Sequence, residues 1–263
     1  MEDFYKIVAY VMAGLLGLAV GSFLNVVIYR LPRGMRLDRP GSHCPHCGYA
    51  LRPIDNVPVL SYLFLGGRCH RCRAPISFRY TAVELFNTLA WLLAVFLFYD
   101  DAPFFAVIAA LAVSVLIPVF FIDLSHMLIP DSLVLSLLLL GIPSCFLDPD
   151  FGWLSHLIGA AVGFGFFFGS YALFYYGFGK EALGGGDIKL AAAAGLLLGW
   201  ERLLLALIIS SVSAGVILLI ISRRTRAERD REYPFGPFLA VGFFLALYFG
   251  TPIISSYLAL LGI

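Results

Sequence analysis

The fold is decided by Leu183-Gly184-Gly185-Gly186-Asp187-Ile188-Lys189-Leu190, a segment that lies between two long apolar stretches. An aspartate at membrane depth is costly, so a chain that keeps one there needs a reason for it. Three glycines in succession let the backbone leave helical geometry and leave room for another chain to approach. The sequence therefore predicts that Asp187 stands at a break between membrane segments and has a functional role.

The composition excludes an ordinary soluble domain. The chain has 263 residues, of which 60% are hydrophobic and 13% charged, and its mean hydropathy is +0.90. Soluble domains carry roughly 25% charged residues. We therefore predict a polytopic membrane protein with the lipid bilayer as its surroundings. Its arginine clusters flank the apolar stretches, so membrane topology explains them and we expect no nucleic-acid partner.

Apolar runs of about 20 residues predict helices that cross the membrane. We predict an all-α polytopic membrane protein with about eight such helices, at residues 7–29, 81–99, 103–122, 130–147, 153–178, 188–199, 202–222 and 235–247. The run at 188–199 is short, so it is either tilted or begins within the glycine break. Asn25 lies inside the first run, where we expect it to make a structural hydrogen bond.

Three regions follow from these runs. Residues 1–30 form the first transmembrane helix, residues 31–80 a small cytoplasmic zinc-binding domain between helices 1 and 2, and residues 81–263 a transmembrane catalytic helix bundle. Basic loops stay on the cytoplasmic side of a membrane. With eight crossings every strong charge cluster obeys this rule, and Arg202 is a minor exception. The count places both Asp123 and Asp187 at the cytoplasmic boundary.

Two carboxylates that face each other share one proton, and such a pair can activate water. The ionised member takes a proton from the water, and the other protonates the leaving amine, which is aspartic peptidase chemistry.

An extended substrate segment can pair with the backbone of Gly184, Gly185 and Gly186. Lys189 either meets an acidic substrate group or anchors the topology. Two alternatives stay open: Asp187 caps a helix, or the aspartates carry ions or protons.

Four of the five cysteines form two close pairs, Cys44-Pro45-His46-Cys47 and Cys69-His70-Arg71-Cys72. Two C-x-x-C pairs at this separation are typical of a structural zinc site. Four thiolates fill the tetrahedral coordination shell of Zn²⁺, so no position is left for water or substrate and the metal would be structural. Redox-active pairs or a labile disulfide are the alternative, which a cytoplasmic location disfavours. We predict that Cys44, Cys47, Cys69 and Cys72 bind structural Zn²⁺.

Several segments resemble the type IV prepilin peptidases, a family of bifunctional leader peptidases and N-methyltransferases that use a glycine-any-glycine-aspartate motif. The two cysteine pairs and the segment that contains Asp187 belong to this resemblance. The other matching segments, spread over essentially the whole chain, are residues 21–32, 55–62, 75–80, 122–131 and 234–238.

The resemblance implies a multi-pass protein of the bacterial inner membrane whose active site faces the cytoplasm. Its substrates would be type IV prepilins and type II secretion pseudopilins, cut after a glycine to remove a short basic leader. The new terminal residue, usually Phe, would then be N-methylated with S-adenosylmethionine. Asp123 and Asp187 would be the catalytic dyad, and the four cysteines the zinc ligands. A peptidase without methyltransferase activity, or an ion-coupled transport or assembly protein, is the alternative.

The residues give no independent sign of a methyl-donor site, since no glycine-rich loop follows a predicted strand. Glu84 is the one candidate that we name, because it lies where the polar region meets the second apolar run. Its carboxylate would orient the substrate amine or the cofactor. Helix capping, or an ion pair with Arg79 or Arg30, is the alternative role.

Overall fold

The structure is a computed structural model that describes residues 1–179, 184–224 and 233–262. Its α-helices are α1 (Glu2–Arg30), α2 (Leu60–Phe64), α3 (Arg79–Phe98), α4 (Pro103–His126), α5 (Asp131–Leu147), α6 (Trp153–Phe178), α7 (Gly185–Arg224) and α8 (Gly236–Leu260). Short 3₁₀ helices at Leu31–Arg33 and Pro53–Asn56 lie between α1 and α2. Lys180 and most of the arginine cluster at residues 223–231 lie outside the described residues.

Among the described residues, six helices are long and apolar enough to cross a membrane, which confirms a multi-pass membrane protein. The sequence predicted eight, and two features account for the difference. Helix α5 is equally apolar but has 17 residues, fewer than the about 20 that a perpendicular crossing needs. Helix α7 has 40 residues, so an unbroken helix would be about 60 Å long, twice the thickness of the hydrocarbon core.

Helix α7 is broken at Gly199, whose φ of 78° and ψ of 164° are not helical. The contacts on each side show that the chain reverses there. Before the break, the Leu197 carbonyl accepts a hydrogen bond from Ser144, near the end of α5. After it, Ser210 donates to the Phe238 carbonyl at the opposite end of this unit. The two predicted runs at 188–199 and 202–222 are therefore the two halves of α7, and the first half does begin within the glycine break.

The chain divides into two compact units, Met1–Tyr99 and Asp100–Ile263. The predicted regions with boundaries at residues 30 and 80 are a finer division and stay a prediction.

In the first unit, α1 packs along α3. A Cβ at Gly21 would lie 2.8 Å from the Glu84 Cα, so this helix pair approaches closely because a side chain is missing. Amides tie the pair together: the Asn25 side chain donates to the Tyr80 carbonyl at 3.0 Å, and Asn87 donates to the Gly17 carbonyl at 2.8 Å. The structural hydrogen bond predicted for Asn25 is confirmed.

In the second unit, α7 packs against α5, α6 and α8. Gly159 and Gly163 of α6 face the backbone of Gly195 and Ala191 so closely that a Cβ on either α6 glycine would overlap a carbonyl oxygen. The first half of α7 is therefore held rigidly by backbone-to-backbone packing. This packing fixes the position of the residues at the start of α7.

Candidate active site

Asp123 lies on the last turns of α4 and is buried, with a relative exposure of 6%. Its Oδ2 accepts a hydrogen bond from the backbone N–H of Gly236, at the start of α8, at 2.9 Å. An apolar helix would ordinarily carry a hydrophobic residue at this depth, so the carboxylate needs that donor. The end of α4 and the start of α8 together hold the Asp123 carboxylate in one position.

Gly236 is a residue to which the sequence analysis gave no role. A Cβ at this position would lie 2.6 Å from Asp123 Oδ2, so only glycine lets the α8 backbone reach the carboxylate. The sequence signal was the glycine between Phe235 and Pro237, in a segment already quoted for its resemblance. Its partner is 113 residues away, and a backbone donor has no signature of its own.

Asp187 lies on the first turn of α7 and is half-buried. Its Oδ1 is buried and has no hydrogen-bond partner among the described residues. Its carboxylate is close enough to Asp123 for an electrostatic interaction between the two groups. The structure thus brings together the two aspartates that the sequence singled out, at one end of the second unit.

The three glycines before Asp187 differ in what surrounds them. A Cβ at Gly186 would lie 3.0 Å from the Ile129 side chain, so this glycine lets the start of α7 pack against the segment after α4. Among the described residues, a Cβ at Gly185 would meet nothing within 4 Å, and one at Gly184 only the Asp187 carboxylate at 3.5 Å. Packing therefore explains the glycine at 186. Beside Gly184 and Gly185, the described residues leave open space.

Lys189 pairs with Asp131, the first residue of α5, with 2.8 Å between Nζ and Oδ1. Both side chains are exposed, so this ion pair contributes little to stability. It joins the starts of α5 and α7 and leaves the ammonium in contact with solvent. The structure therefore gives Lys189 an acidic partner within the protein.

The four cysteine side chains of the first unit converge, with all four sulfur atoms within 4.8 Å of one another. Four sulfurs at about 2.3 Å from a tetrahedral metal lie about 3.8 Å apart. The Sγ atoms of Cys44 and Cys72 are 3.8 Å apart, and none of the five cysteines forms a disulfide. Backbone N–H groups of Cys72 and Arg71 lower the pKa of the Cys69 thiol to about 7, whereas burial and the neighbouring thiols raise the pKa of the Cys72 thiol to about 11. The cluster is suited to hold a metal ion.

Each cysteine pair lies in the same kind of turn. The Cys44 N–H donates to the Tyr49 carbonyl at 2.9 Å, and the Cys69 N–H donates to the Ala74 carbonyl at 2.8 Å. The residue after the second cysteine has a left-handed backbone in both turns, with φ of 68° at Gly48 and 60° at Arg73. Glycine adopts this conformation freely, whereas arginine is strained in it.

This difference predicts opposite effects of two substitutions on the stability of the cysteine module, by which we mean residues 44–73 with their two cysteine pairs. Gly48→Ala destabilises it by about 1 kcal/mol, because a Cβ there meets no atom within 4 Å and acts only through the backbone. Arg73→Gly relieves strain and stabilises it by up to about 1 kcal/mol. Chelator titration of metal-loaded protein measures both. Shifts in the same direction would contradict the strain assigned to Arg73.

Glu84 lies on the second turn of α3 and is buried, with a relative exposure of 9%. Its Oε2 accepts a hydrogen bond from the Val59 N–H at 2.8 Å, and the Ser22 hydroxyl is also a hydrogen-bond partner. It forms neither of the ion pairs considered from the sequence. Arg30 instead donates to backbone carbonyls of residues 36, 37 and 40.

Two protein-family models match most of this chain. Residues 15–98 match the bacterial peptidase A24 N-terminal domain, and residues 110–219 match the type IV leader peptidase family. These two ranges fall within the two structural units. No solved structure matches the chain.

Curated relatives carry the name prepilin leader peptidase/N-methyltransferase. The protein of this name from Legionella pneumophila is 38% identical over 95% of this chain and 94% of its own length. That of Pseudomonas aeruginosa is 37% identical over 94% of this chain and 93% of its own length. A third, from Stutzerimonas stutzeri, is 38% identical over 95% of this chain. The chain therefore belongs to the type IV leader peptidase family.

Proposed function

We propose that this protein is a prepilin leader peptidase and N-methyltransferase. It cleaves the basic leader from type IV prepilins and type II secretion pseudopilins after a glycine, and it methylates the new N-terminal residue, usually Phe. The observation that carries the proposal is the meeting of Asp123 and Asp187 at one end of the second unit, in a chain that belongs to this family. The protein is a multi-pass protein of the bacterial inner membrane, and this end faces the cytoplasm.

Asp123 and Asp187 are the catalytic dyad, and they hold the attacking water between them. The ionised carboxylate takes a proton from the water as its oxygen attacks the scissile carbonyl, and the protonated partner gives a proton to the leaving amine. The Gly236 N–H keeps the Asp123 carboxylate in position through the reaction. The Oδ1 atom of Asp187, which has no hydrogen-bond partner among the described residues, is the atom that binds the water.

The substrate reaches the dyad as an extended segment, because a peptide bond within a helix is hydrogen-bonded and shielded. The space that the described residues leave beside Gly184 and Gly185 admits such a segment next to Asp187. Gly186 serves the packing of α7 and Lys189 is occupied by Asp131, so both act on the substrate through the position of α7.

Cys44, Cys47, Cys69 and Cys72 bind Zn²⁺ in a structural site, and their domain faces the cytoplasm. The support is the convergence of four sulfurs in a segment whose regular structure is limited to short helices and two isolated bridges. So little packed structure gains much of its folding free energy from a metal.

S-adenosylmethionine would be the methyl donor, and when bound it would supply an electrophilic methyl group for the lone pair of the deprotonated amine. The chain supplies a buried acidic side chain, Glu84, beside a cavity in the first unit. A buried carboxylate is suited to the positive charge of such a donor.

Purified protein incubated with a prepilin-like peptide and S-adenosylmethionine tests both activities, with mass spectrometry of the products. We expect a peptide cut after its glycine and a new terminus heavier by one methyl group. Cleavage without an added methyl group would show a peptidase without methyltransferase activity. An intact peptide, under conditions in which the Pseudomonas aeruginosa relative processes it, would overturn the proposal.

A further inference from the structure

A cavity of about 670 Å³ lies within the first unit, between α1, the cysteine module and the start of α3. Sites for small organic ligands measure about 300–1,000 Å³ and are lined by apolar groups with a few placed polar ones. The volume of this cavity falls in that range, and its wall is mixed, with apolar and polar residues side by side. The side chains of Phe23, Val26 and Leu65 contribute to its wall, together with Asn25 and Glu84.

One buried polar atom in the cavity wall has no partner. The Asn25 amide nitrogen donates to the Tyr80 and Gly21 carbonyls, so the orientation of the amide is set by its donor side. Its Oδ1 is buried and accepts no hydrogen bond in the part of the chain that the structure describes. A buried acceptor without a donor costs free energy, and a bound ligand that offers an N–H removes that cost.

One buried acidic side chain in the wall also lacks a counter-charge among the described residues. Of the other two charged side chains that line the cavity, Asp55 is paired with Arg52, and Arg30 directs its guanidinium at three backbone carbonyls. The Glu84 carboxylate has two neutral donors, the Val59 N–H and the Ser22 hydroxyl. A carboxylate has about four acceptor positions, so capacity for a cation remains.

We propose that this cavity is the binding site of the methyl donor, with Glu84 against a positive charge of S-adenosylmethionine and Asn25 Oδ1 accepting one of its N–H groups. The proposal rests on the proposed methyltransferase function and gives it a location. A cationic ligand with N–H donors satisfies both the uncompensated carboxylate and the orphan acceptor. A neutral apolar ligand would satisfy neither.

A purely structural role for Glu84 has to be separated from ligand binding. The residue that it contacts, Val59, has a φ of 60°, which is strained for a β-branched side chain. The Glu84 carboxylate therefore also holds this turn. Glu84→Gln keeps a carbonyl oxygen for the Val59 N–H and removes the negative charge, so this variant isolates the electrostatic contribution.

Calorimetric titration of the purified full-length protein with S-adenosylmethionine measures the site directly. We expect Glu84→Gln to raise Kd at least about tenfold, as for the loss of a charge-assisted contact. Asp38→Asn is the matched control: it removes the same charge from the same unit, at an exposed side chain paired with Arg36, and keeps the wild-type Kd. Metal content and melting temperature identify any variant that fails to fold.

Ser61→Trp gives a second test that does not depend on Glu84. It adds an indole to the cavity wall, and we expect it to abolish binding of S-adenosylmethionine. Ultraviolet cross-linking of radiolabelled S-adenosylmethionine to the wild-type protein should label peptides from residues 19–30 or 59–84. Labelling confined to residues 100–263 would place the donor elsewhere and overturn the proposal.

The failure of this inference differs from that of the proposed function. If the wild-type protein cleaves and methylates a prepilin peptide while Glu84→Gln binds S-adenosylmethionine with unchanged affinity, only the location is wrong. The same holds if Glu84→Gln weakens binding of the leaderless peptide and not of S-adenosylmethionine, since the cavity would then hold the amine. A wild-type protein without either activity overturns the function itself.

Discussion

Asp187→Asn lowers the rate of leader cleavage by about 10²–10⁴-fold, the usual contribution of a general acid or base. Asparagine keeps the size of the side chain but can neither take a proton from water nor return one. Asp123→Asn has an effect of similar size. The asparagine at position 123 retains an oxygen that accepts the hydrogen bond of the Gly236 N–H, so the end of α4 stays next to the start of α8. The lower cleavage rate then reflects lost proton transfer and not a changed structure. Cleavage of a synthetic prepilin peptide, measured per folded enzyme, gives both numbers.

The double variant tests whether the aspartates act as a pair. Residues that act as a unit have grossly non-additive effects, so Asp123→Asn combined with Asp187→Asn should cost about as much as either change alone. Asp101→Asn is the control, since it neutralises an exposed acidic residue just before α4, at the other end of the helix that carries Asp123. Full cleavage by either single variant, or a fully multiplicative loss in the double variant, would contradict the dyad.

The sequence predicted the parts of this structure that have local or compositional signals. Apolar runs gave the membrane helices, and charge counting placed Asp123 and Asp187 at the same boundary before any contact was known. The spacing of the cysteines gave their cluster. These predictions succeed because each rests on a strong physical constraint, namely the cost of a charge in lipid or the geometry of a metal.

The sequence could not predict contacts in which one partner is backbone. The donor to Asp123 is the Gly236 N–H, and one of the two donors to Glu84 is the Val59 N–H; neither N–H has a side-chain signature. For the same reason, an ion pair of Glu84 with Arg79 or Arg30 was a possible role from the sequence, and the fold forms neither. Such contacts depend on how close two helices come, which small residues permit and do not by themselves determine.

The exception to the charge rule, Arg202, also has an explanation that only the fold supplies. Its guanidinium binds the carboxylates of Asp148 and Asp150 and is 1% exposed. The Thr251 hydroxyl accepts a hydrogen bond from it at 2.9 Å. The arginine is thus neutralised at the end of α5, at the opposite end of this unit from Asp123 and Asp187. It does not act as a free charge that sets the membrane topology.

Arg202→Met destabilises the protein by about 3–5 kcal/mol, because it leaves the buried Asp148 carboxylate without its principal counter-charge. The Asp148 side chain is fully buried, and burial alone would raise its pKa; His156 and Arg202 outweigh that effect, so the pKa is lowered. Its folded state therefore favours the anion, which methionine cannot balance. Thermal unfolding in detergent, at a pH well above the ordinary range of aspartate, measures the loss.

Arg202→Met combined with Asp148→Asn separates a lost charge partner from lost packing. Asparagine removes the buried charge and keeps an oxygen for the Asp150 N–H, which donates to Asp148 Oδ1 at 2.9 Å. Residues in one ion-pair network couple by about 0.5–3 kcal/mol, so the double variant should recover part of the stability. Because the cluster lies at the end of the unit opposite Asp123, cleavage per folded molecule should change little. A double variant as unstable as the sum of both single variants would show that Arg202 stabilises through its packing on Phe151 and not through charge.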